Sequence, residues 1–469
     1  MIISFNLGFF TSRASILKKS FFVQEEQPNT MRYVQGVRSV KANVKANTET
    51  PLATGGPNED DGAERNYRHA IDIARELAHA DPETFLPDLA RTRESFASFK
   101  KDRGEFVEAA EGYTEAVESY RELAAKNAQA YRVHLARTLN DLALIQKACN
   151  DFDAAVNSNH EALHINRELA RTNPLDYLPE VADTLKQLAD LQQAQSKCHV
   201  AACTYEEALQ VYRELANTNP QKYLPEVAAT LEKLADIHRA SENHDLSAQV
   251  YSDALLLWRS LSRTNSQLYL SKVAMTLNKL ADLHQALCEY ELAAASYEES
   301  LLIYRELENT NPQKYLPEAA ATFDKLADAQ KALNDIESAG KSYREALRIY
   351  RELARTEPER YLPEVAKVTV NLTVLLKFRH NFESAEKGYQ EALRIYRELA
   401  RKDAERYLPD AARMLVNLAV LQKVRNNPEG AEKSYRESLV TYRELARIDA
   451  QRYAPEIANI QTALDGFMA

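Results

Sequence analysis

Tyr223-Leu224-Pro225 returns as Tyr177-Leu178-Pro179, Tyr315-Leu316-Pro317, Tyr361-Leu362-Pro363 and Tyr407-Leu408-Pro409, and with letters changed as Phe85-Leu86-Pro87, Tyr131-Arg132-Val133, Tyr269-Leu270-Ser271 and Tyr453-Ala454-Pro455. Every step is 46 residues, without a slip. A fixed period of this size marks units that hide their apolar faces only by stacking on neighbours, which makes the chain an extended array built as surface.

Residues 223–268 serve as the specimen unit. Pro225 followed by Glu226 predicts the start of a helix A, because Pro needs no amide partner in a first turn and Glu complements the positive helix end. Val227, Leu231, Leu234, Ala235, Ile237 and His238 then recur at helical spacing to about Ala240. After a polar turn at Ser241 to Asp245, Tyr251, Ala254, Leu255, Trp258 and Leu261 form the stripe of a helix B. Asn173-Pro174, Asn219-Pro220, Asn311-Pro312 and Glu357-Pro358 are read as helix stops, since Pro cannot continue a helix. Ser266 and Ser271 replace both prolines around Tyr269, which reads as ordinary drift, with a looser joint as the alternative.

Composition narrows the class further. Only 11 Gly in 469 residues, with 45% apolar content, fit packed helices and exclude a disordered chain. Cys149, Cys198, Cys203 and Cys288 read as reduced thiols, consistent with a cytoplasmic setting. The net charge of −10 is uneven: residues 1–60 carry +2, 61–360 carry −14 and 361–469 carry +2. An acidic body argues against nucleic-acid partners, and no apolar run reaches the length of a membrane helix. Residues 1–24 hold Arg13, Lys18 and Lys19 with no acid, so a mitochondrial transit peptide is the alternative to cytoplasmic placement. Residues 1–63 are expected to be a disordered or targeting segment with a linker over 46–63, and 64–469 the repeat array, with units opening near 85, 131, 177, 223, 269, 315, 361 and 407 and a capping helix over 453–467.

The positions Leu326, Ala327, Ala339, Tyr343 and Ala346, repeated as Leu188, Ala189, Ala201, Tyr205, Ala208 and as Leu280, Ala281, Ala293, Tyr297, Ser300, resemble the tetratricopeptide repeat in its long variety, similar to kinesin-light-chain-like repeats. HEAT and armadillo repeats match the period but not this spacing. The resemblance covers residues 65–469 and implies an all-α, right-handed α-α superhelical solenoid of about eight antiparallel pairs, with a lone helix at each end. Asp465 stands in the last helix where Ala is usual, as suits a cap facing water.

Three groups of residues suggest chemistry. His160-Glu161-Ala162-Leu163-His164 has the spacing of a zinc-hydrolase helix, but Glu161 is the acid the register repeats as Glu115, Glu207, Glu299, Glu345 and Glu391, and no third ligand is evident. Gly340-Lys341-Ser342 resembles the end of a phosphate loop, yet Asp335 stands where its first Gly belongs. Cys198, His199 and Cys203 lack a fourth metal ligand. No catalytic residue, metal or cofactor is therefore expected.

In the tetratricopeptide family helix A lines a concave groove that binds extended peptides. The register carries its positions to Asp141, Gln187, Lys233, Lys279, Lys325, Asn371 and Asn417, and three residues on to Leu144, Asp190, Asp236, Asp282, Asp328, Val374 and Val420. Each of the three Lys is expected to pair with the Asp three residues later on its own helix, either as a solvated face or as a ladder for a charged peptide. Asn371 and Asn417, among Val370, Val374, Val416 and Val420, offer amides in an apolar bed, suited to a ligand backbone. The expected role is a non-catalytic scaffold or adaptor whose partner is a protein or peptide. A sensor module acting beside a separate nucleotide-dependent catalytic chain is the alternative, and a zinc hydrolase the remote one.

Overall fold

The structure is a computed structural model that describes residues 57–468; the N-terminal segment expected over 1–63 lies outside the described residues up to position 56. Among the described residues there are 18 helices and no strand. They fall into two compact units, one ending at Lys197 and the other beginning at Cys198. The first holds α1 (Pro57–Ala80), α2 (Pro82–Asp102), α3 (Phe106–Lys126), α4 (Ala128–Ala148), α5 (Phe152–Thr172) and α6 (Pro174–Ala194). The second holds α7 (Cys198–Thr218), α8 (Pro220–Ala240), α9 (His244–Thr264), α10 (Ser266–Ala286), α11 (Tyr290–Glu308), α12 (Pro312–Ala332), α13 (Ile336–Thr356), α14 (Pro358–Phe378), α15 (Phe382–Ala400), α16 (Ala404–Val424), α17 (Pro428–Leu445) and α18 (Ala450–Met468). Even-numbered helices are helix A and odd-numbered ones helix B. Because α1 opens at Pro57, a linker reaching residue 63 is corrected: Glu64 and the residues before it already belong to a helix.

Helix A starts five residues earlier than the sequence suggests. Pro220 is its first residue, and Asn219 caps it by accepting from the Lys222 amide at 3.2 Å. Pro225, read as the start, sits inside the helix, as do Pro179, Pro317, Pro363 and Pro409. The earlier proline wins because its missing N–H is one the first turn leaves unpaired anyway. The later one forfeits a single hydrogen bond near the exposed helix end. At six of the nine junctions helix B thus passes to the next helix A through one extended residue, as at Asn219 (φ −141°, ψ 82°) and Asn265 (φ −146°, ψ 88°), while three or four residues follow α11, α15 and α17. Asn265, before Ser266, thus takes nearly the conformation that Asn219 takes before Pro220.

Helix A passes to helix B through three residues whose middle member is left-handed: Gly104, Asn150, Ser196, Glu242, Cys288, Asn334, His380 and Asn426 have φ from 55° to 76°. The next amide reaches back five residues, Asn243 N to His238 O at 2.8 Å, which ends helix A by pairing a carbonyl it would leave open. Small residues set the packing between helices. Ala293, Tyr297 and Ser300, like Ala339, Tyr343 and Ala346, are 0% exposed, so backbones approach closely while the tyrosine ring fills the wedge that remains. Asp465 on α18 is exposed.

Candidate functional site

In the second unit the helix A faces of α8, α10 and α12 are joined by charge. The Lys279 ammonium meets Asp236 Oδ2 at 2.9 Å, and Lys325 meets both oxygens of Asp282 at 2.8 Å. This corrects the expected pairing within one helix. The lysine reaches back to the preceding repeat, because stacked helices put that carboxylate closer than the one three residues on. Each aspartate also accepts from a buried helix B tyrosine: Tyr251 to Asp236, Tyr297 to Asp282 at 2.6 Å and Tyr343 to Asp328. Burial first, and then these hydrogen bonds to a carboxylate, hold all three phenols well above the usual tyrosine range. Asp328 has Lys331 of its own helix at 3.2 Å, since the next repeat offers Asn371 where lysine would stand. Lys233, at the same register on α8, is half-buried.

A second polar layer lies beneath. Asn278 donates to Thr322 Oγ1 at 2.8 Å, and Glu232 takes Trp258 Nε1 at 2.8 Å as well as the Thr276 hydroxyl. The Asn278 and Thr276 bonds link one repeat to the next and pin their register, while the Trp258 bond ties the two helices of one repeat. Toward the C-terminus the layer turns apolar: Val368 and Met414 take the threonine slot, 0% and 1% exposed, and Val370 and Val416 take the slot of Asn278.

Asn371 is less available than the sequence suggests. Its Nδ2 donates to Asp324 Oδ1 at 3.2 Å, while Lys367 holds Asp324 Oδ2 at 3.0 Å. The corresponding reach from Asn417 leads to Val370, whose side chain accepts nothing. Val374 and Val420 are half-buried beside these amides. One turn further, Phe378 is 73% and Val424 56% exposed, in a slot that α8, α10 and α12 fill with Ala240, Ala286 and Ala332. Sequence reading missed this row, although counting four residues past Val374 and Val420 would have found it. The ends of α14 and α16 therefore carry Val374, Phe378, Val420 and Val424 as an apolar strip, where the middle repeats carry Asp236, Asp282 and Asp328.

The chemical motifs resolve into structure. Glu161 accepts from Arg121 Nε at 2.9 Å, and the same link recurs as Arg259 to Glu299 and Arg351 to Glu391, so it is a tie between helices B. His160 and His164 are both exposed, and the His164 Nε2 lies 4.0 Å from Glu168 Oε1 of its own helix. Among the described residues no three His, Cys, Asp or Glu side chains converge as metal ligands. Gly340 is buried within α13, and Lys341 pairs with Glu337 at 2.7 Å. Cys198 is half-buried and Cys203 exposed. None of the described helices is long and apolar enough to cross a membrane.

Residues 273–313 match the family described as tetratricopeptide repeat, so the resemblance read from the Leu-Ala and Ala-Tyr spacing is established on that unit. No curated protein matches the sequence. Solved structures with a similar fold include BtubC (BKLC) from P. vanneervenii, 23% identical over 52% of this chain and 90% of that one, TM-score 0.41. A signal transduction ATPase with numerous domains and a tetratricopeptide repeat sensor, from Pyrococcus horikoshii, is 15% identical over 94% of this chain and 60% of that one, TM-score 0.47. Nearly identical TPR-like repeats of a putative kinesin light chain from Podosopora anserina are 17% identical over 49% of this chain and 99% of that one, TM-score 0.38.

Proposed function

We propose that the chain is a non-catalytic protein-interaction or sensor module, and that α14 and α16 present the surface that takes an extended peptide from a partner. The observation that carries this reading is the exposed Phe378 and Val424 above Val374 and Val420, since large apolar side chains grouped on one face are unusual on a surface without a partner. Asn417 supplies an amide that donates and accepts beside them, as a ligand backbone requires. The Lys279 and Lys325 ladder is assigned a different role, fixing how one repeat sits on the next, because its charges are already paired.

Selection of a random peptide library on the full chain tests the reading. Enriched peptides carry apolar side chains, and their binding falls at least tenfold on Phe378→Asp with Val424→Asp while Lys325→Gln leaves it intact. Peptides that bind the double variant as well as the parent chain overturn the proposal.

A further inference from the structure

The outer face of helix B carries one row that changes character along the second unit. Its members, 46 residues apart, are Leu256 on α9, Leu302 on α11, Arg348 on α13, Arg394 on α15 and Val440 on α17. Leu256, Leu302 and Val440 are 63%, 65% and 57% exposed, so the row points outward and no packing demand puts arginine in its other two places. Around each arginine the surface dips. On α13 a depression of about 430 Å³ is lined by Arg344, Arg348, Arg351 and Arg355 over Leu347, with Glu352 as its one carboxylate. On α15 the matching depression of about 520 Å³ is lined by Arg394, Arg397 and Arg401 over Leu393, with Gln390 and Glu398. The same slots on α11 hold one arginine, Arg305, against Glu298 and Glu306.

The pairing of these cations divides them into two sets. Arg351 and Arg397 are engaged in the ties between helices B, to Glu391 at 2.6 Å and to Glu437. Arg348 pairs with Glu345 at 3.1 Å and Glu352 at 3.8 Å on its own helix, contacts between exposed side chains that contribute little. Among the described residues Arg344, Arg355, Arg394 and Arg401 have no carboxylate partner, and all four are exposed. Two adjacent repeats thus present guanidinium groups to water that no tie within the fold occupies.

We propose that the helix B faces of α13 and α15 form a docking surface for an acidic peptide segment, whose carboxylates pair with Arg344, Arg348 and Arg355 on one repeat and with Arg394 and Arg401 on the next. Charge selects the occupant. A guanidinium grips a carboxylate through two parallel N–H bonds, and each of these five can turn its fork outward without breaking a tie between helices. Glu345, Glu352, Glu391 and Glu398 stand between the arginines. A nucleic-acid backbone, with a phosphate at every step, would be driven against these carboxylates. Tyr343, Tyr350, Tyr389 and Tyr396 are buried, so the face offers no tyrosine ring on which a base could stack. A peptide, in contrast, can set its acids opposite the arginines and neutral residues opposite the glutamates. The surface belongs to the helix B layer and takes side chains of the opposite character from the apolar strip of α14 and α16, so it is a second site that stands without the first.

The test titrates the full chain into a fluorescently labelled helical peptide of Glu and Ala and follows its anisotropy, with a labelled Gln and Ala peptide and a labelled oligouridylate as comparators. The Glu and Ala peptide is expected to bind saturably, more tightly than either comparator, and to weaken as salt rises. Arg348→Glu with Arg394→Glu is expected to weaken it at least about tenfold, since two attractions become repulsions. Arg239→Glu with Arg413→Glu makes the same change of net charge at side chains 41% and 61% exposed on helices A, and is expected to leave binding largely intact. Helical circular dichroism checks that both pairs of variants fold. Absence of binding by the Glu and Ala peptide, tighter binding of the oligouridylate, or an equal loss on both pairs of reversals overturns the surface. The chain carrying Phe378→Asp with Val424→Asp is expected to bind the Glu and Ala peptide nearly as well as the parent, so failure of the apolar strip and failure of this surface are read apart.

Discussion

The middle repeats and the C-terminal repeats of the second unit share one backbone plan and differ in what they write on it. Around α8, α10 and α12, Lys279 with Asp236 ties α10 to α8 and Lys325 with Asp282 ties α12 to α10, and each of these aspartates is also held by a tyrosine of helix B. Around α14 and α16 the same slots hold Asn371, Asn417, Val374 and Val420, the layer below is Val368 and Met414, and Phe378 and Val424 stand exposed. The lesson is that stacking has two solutions here. Where polar pairs fix register they use up their own chemistry, and where apolar packing fixes it the outer turn is free to meet a partner.

Tyr297→Ala should mark the largest difference. It empties a fully buried slot and strips Asp282 of a donor, and a loss of about 3–5 kcal/mol is expected from chemical denaturation, with the change concentrated in α10 to α12 by hydrogen exchange. A cost below about 1 kcal/mol would mean the wedge is not a packing element. Tyr297→Phe keeps the ring and removes only the hydrogen bond, so about 1–2 kcal/mol is expected from the same measurement.

Alkaline pH acts on both regions, since burial also raises the Tyr435 and Tyr442 phenols on α17, and acts harder on the middle repeats, where hydrogen bonds to carboxylates add to burial at Tyr251, Tyr297 and Tyr343. Tyr251, Tyr297 and Tyr343 have phenol values raised by folding, so the stability they contribute is fully present below the ordinary tyrosine value near 10 and is lost as pH rises above it. Hydrogen exchange compared at pH 8 and pH 11, corrected for intrinsic rate, should show α10 and α12 opening before α16, and Tyr297→Phe should blunt the difference. Uniform opening would contradict the assignment of register to those pairs.

Among the smaller effects, His380→Gly relieves a left-handed φ of 55° and should stabilise the α14 to α15 turn by about 1 kcal/mol in thermal unfolding. Phe378→Asp should change stability by less than about 0.5 kcal/mol, because the ring is mostly in water, while removing peptide binding. A large stability loss on that substitution would place Phe378 in the fold and withdraw it from the surface.

Much of this was legible because the 46-residue period names the slots: the buried Ala339, Tyr343 and Ala346 and the exposed Asp465 lie where the pattern puts them. What stayed hidden depends on neighbours that linear spacing does not show. Lys325 stands three residues from Asp328, so a rule for single helices pairs them, yet the stack sets Asp282 nearer although it is 43 residues away. Two prolines five residues apart could each open helix A, and only the cap at Asn219 decides between them. Asn159 breaks the tyrosine row in the sequence, whereas its full burial is a property of packing that spacing does not show.

The central claim is that the outer turns of α14 and α16 receive the partner. Hydroxyl-radical footprinting of the full chain, with and without a peptide selected on it, tests this most directly, because Phe378 is both exposed and reactive. Oxidation of Phe378 and Val424 should drop when the peptide is bound while Leu256 and Leu302, exposed on helices B, are unchanged. Unaltered oxidation of Phe378 with protection of Leu256 and Leu302 would place the partner on the helix B side and contradict the account.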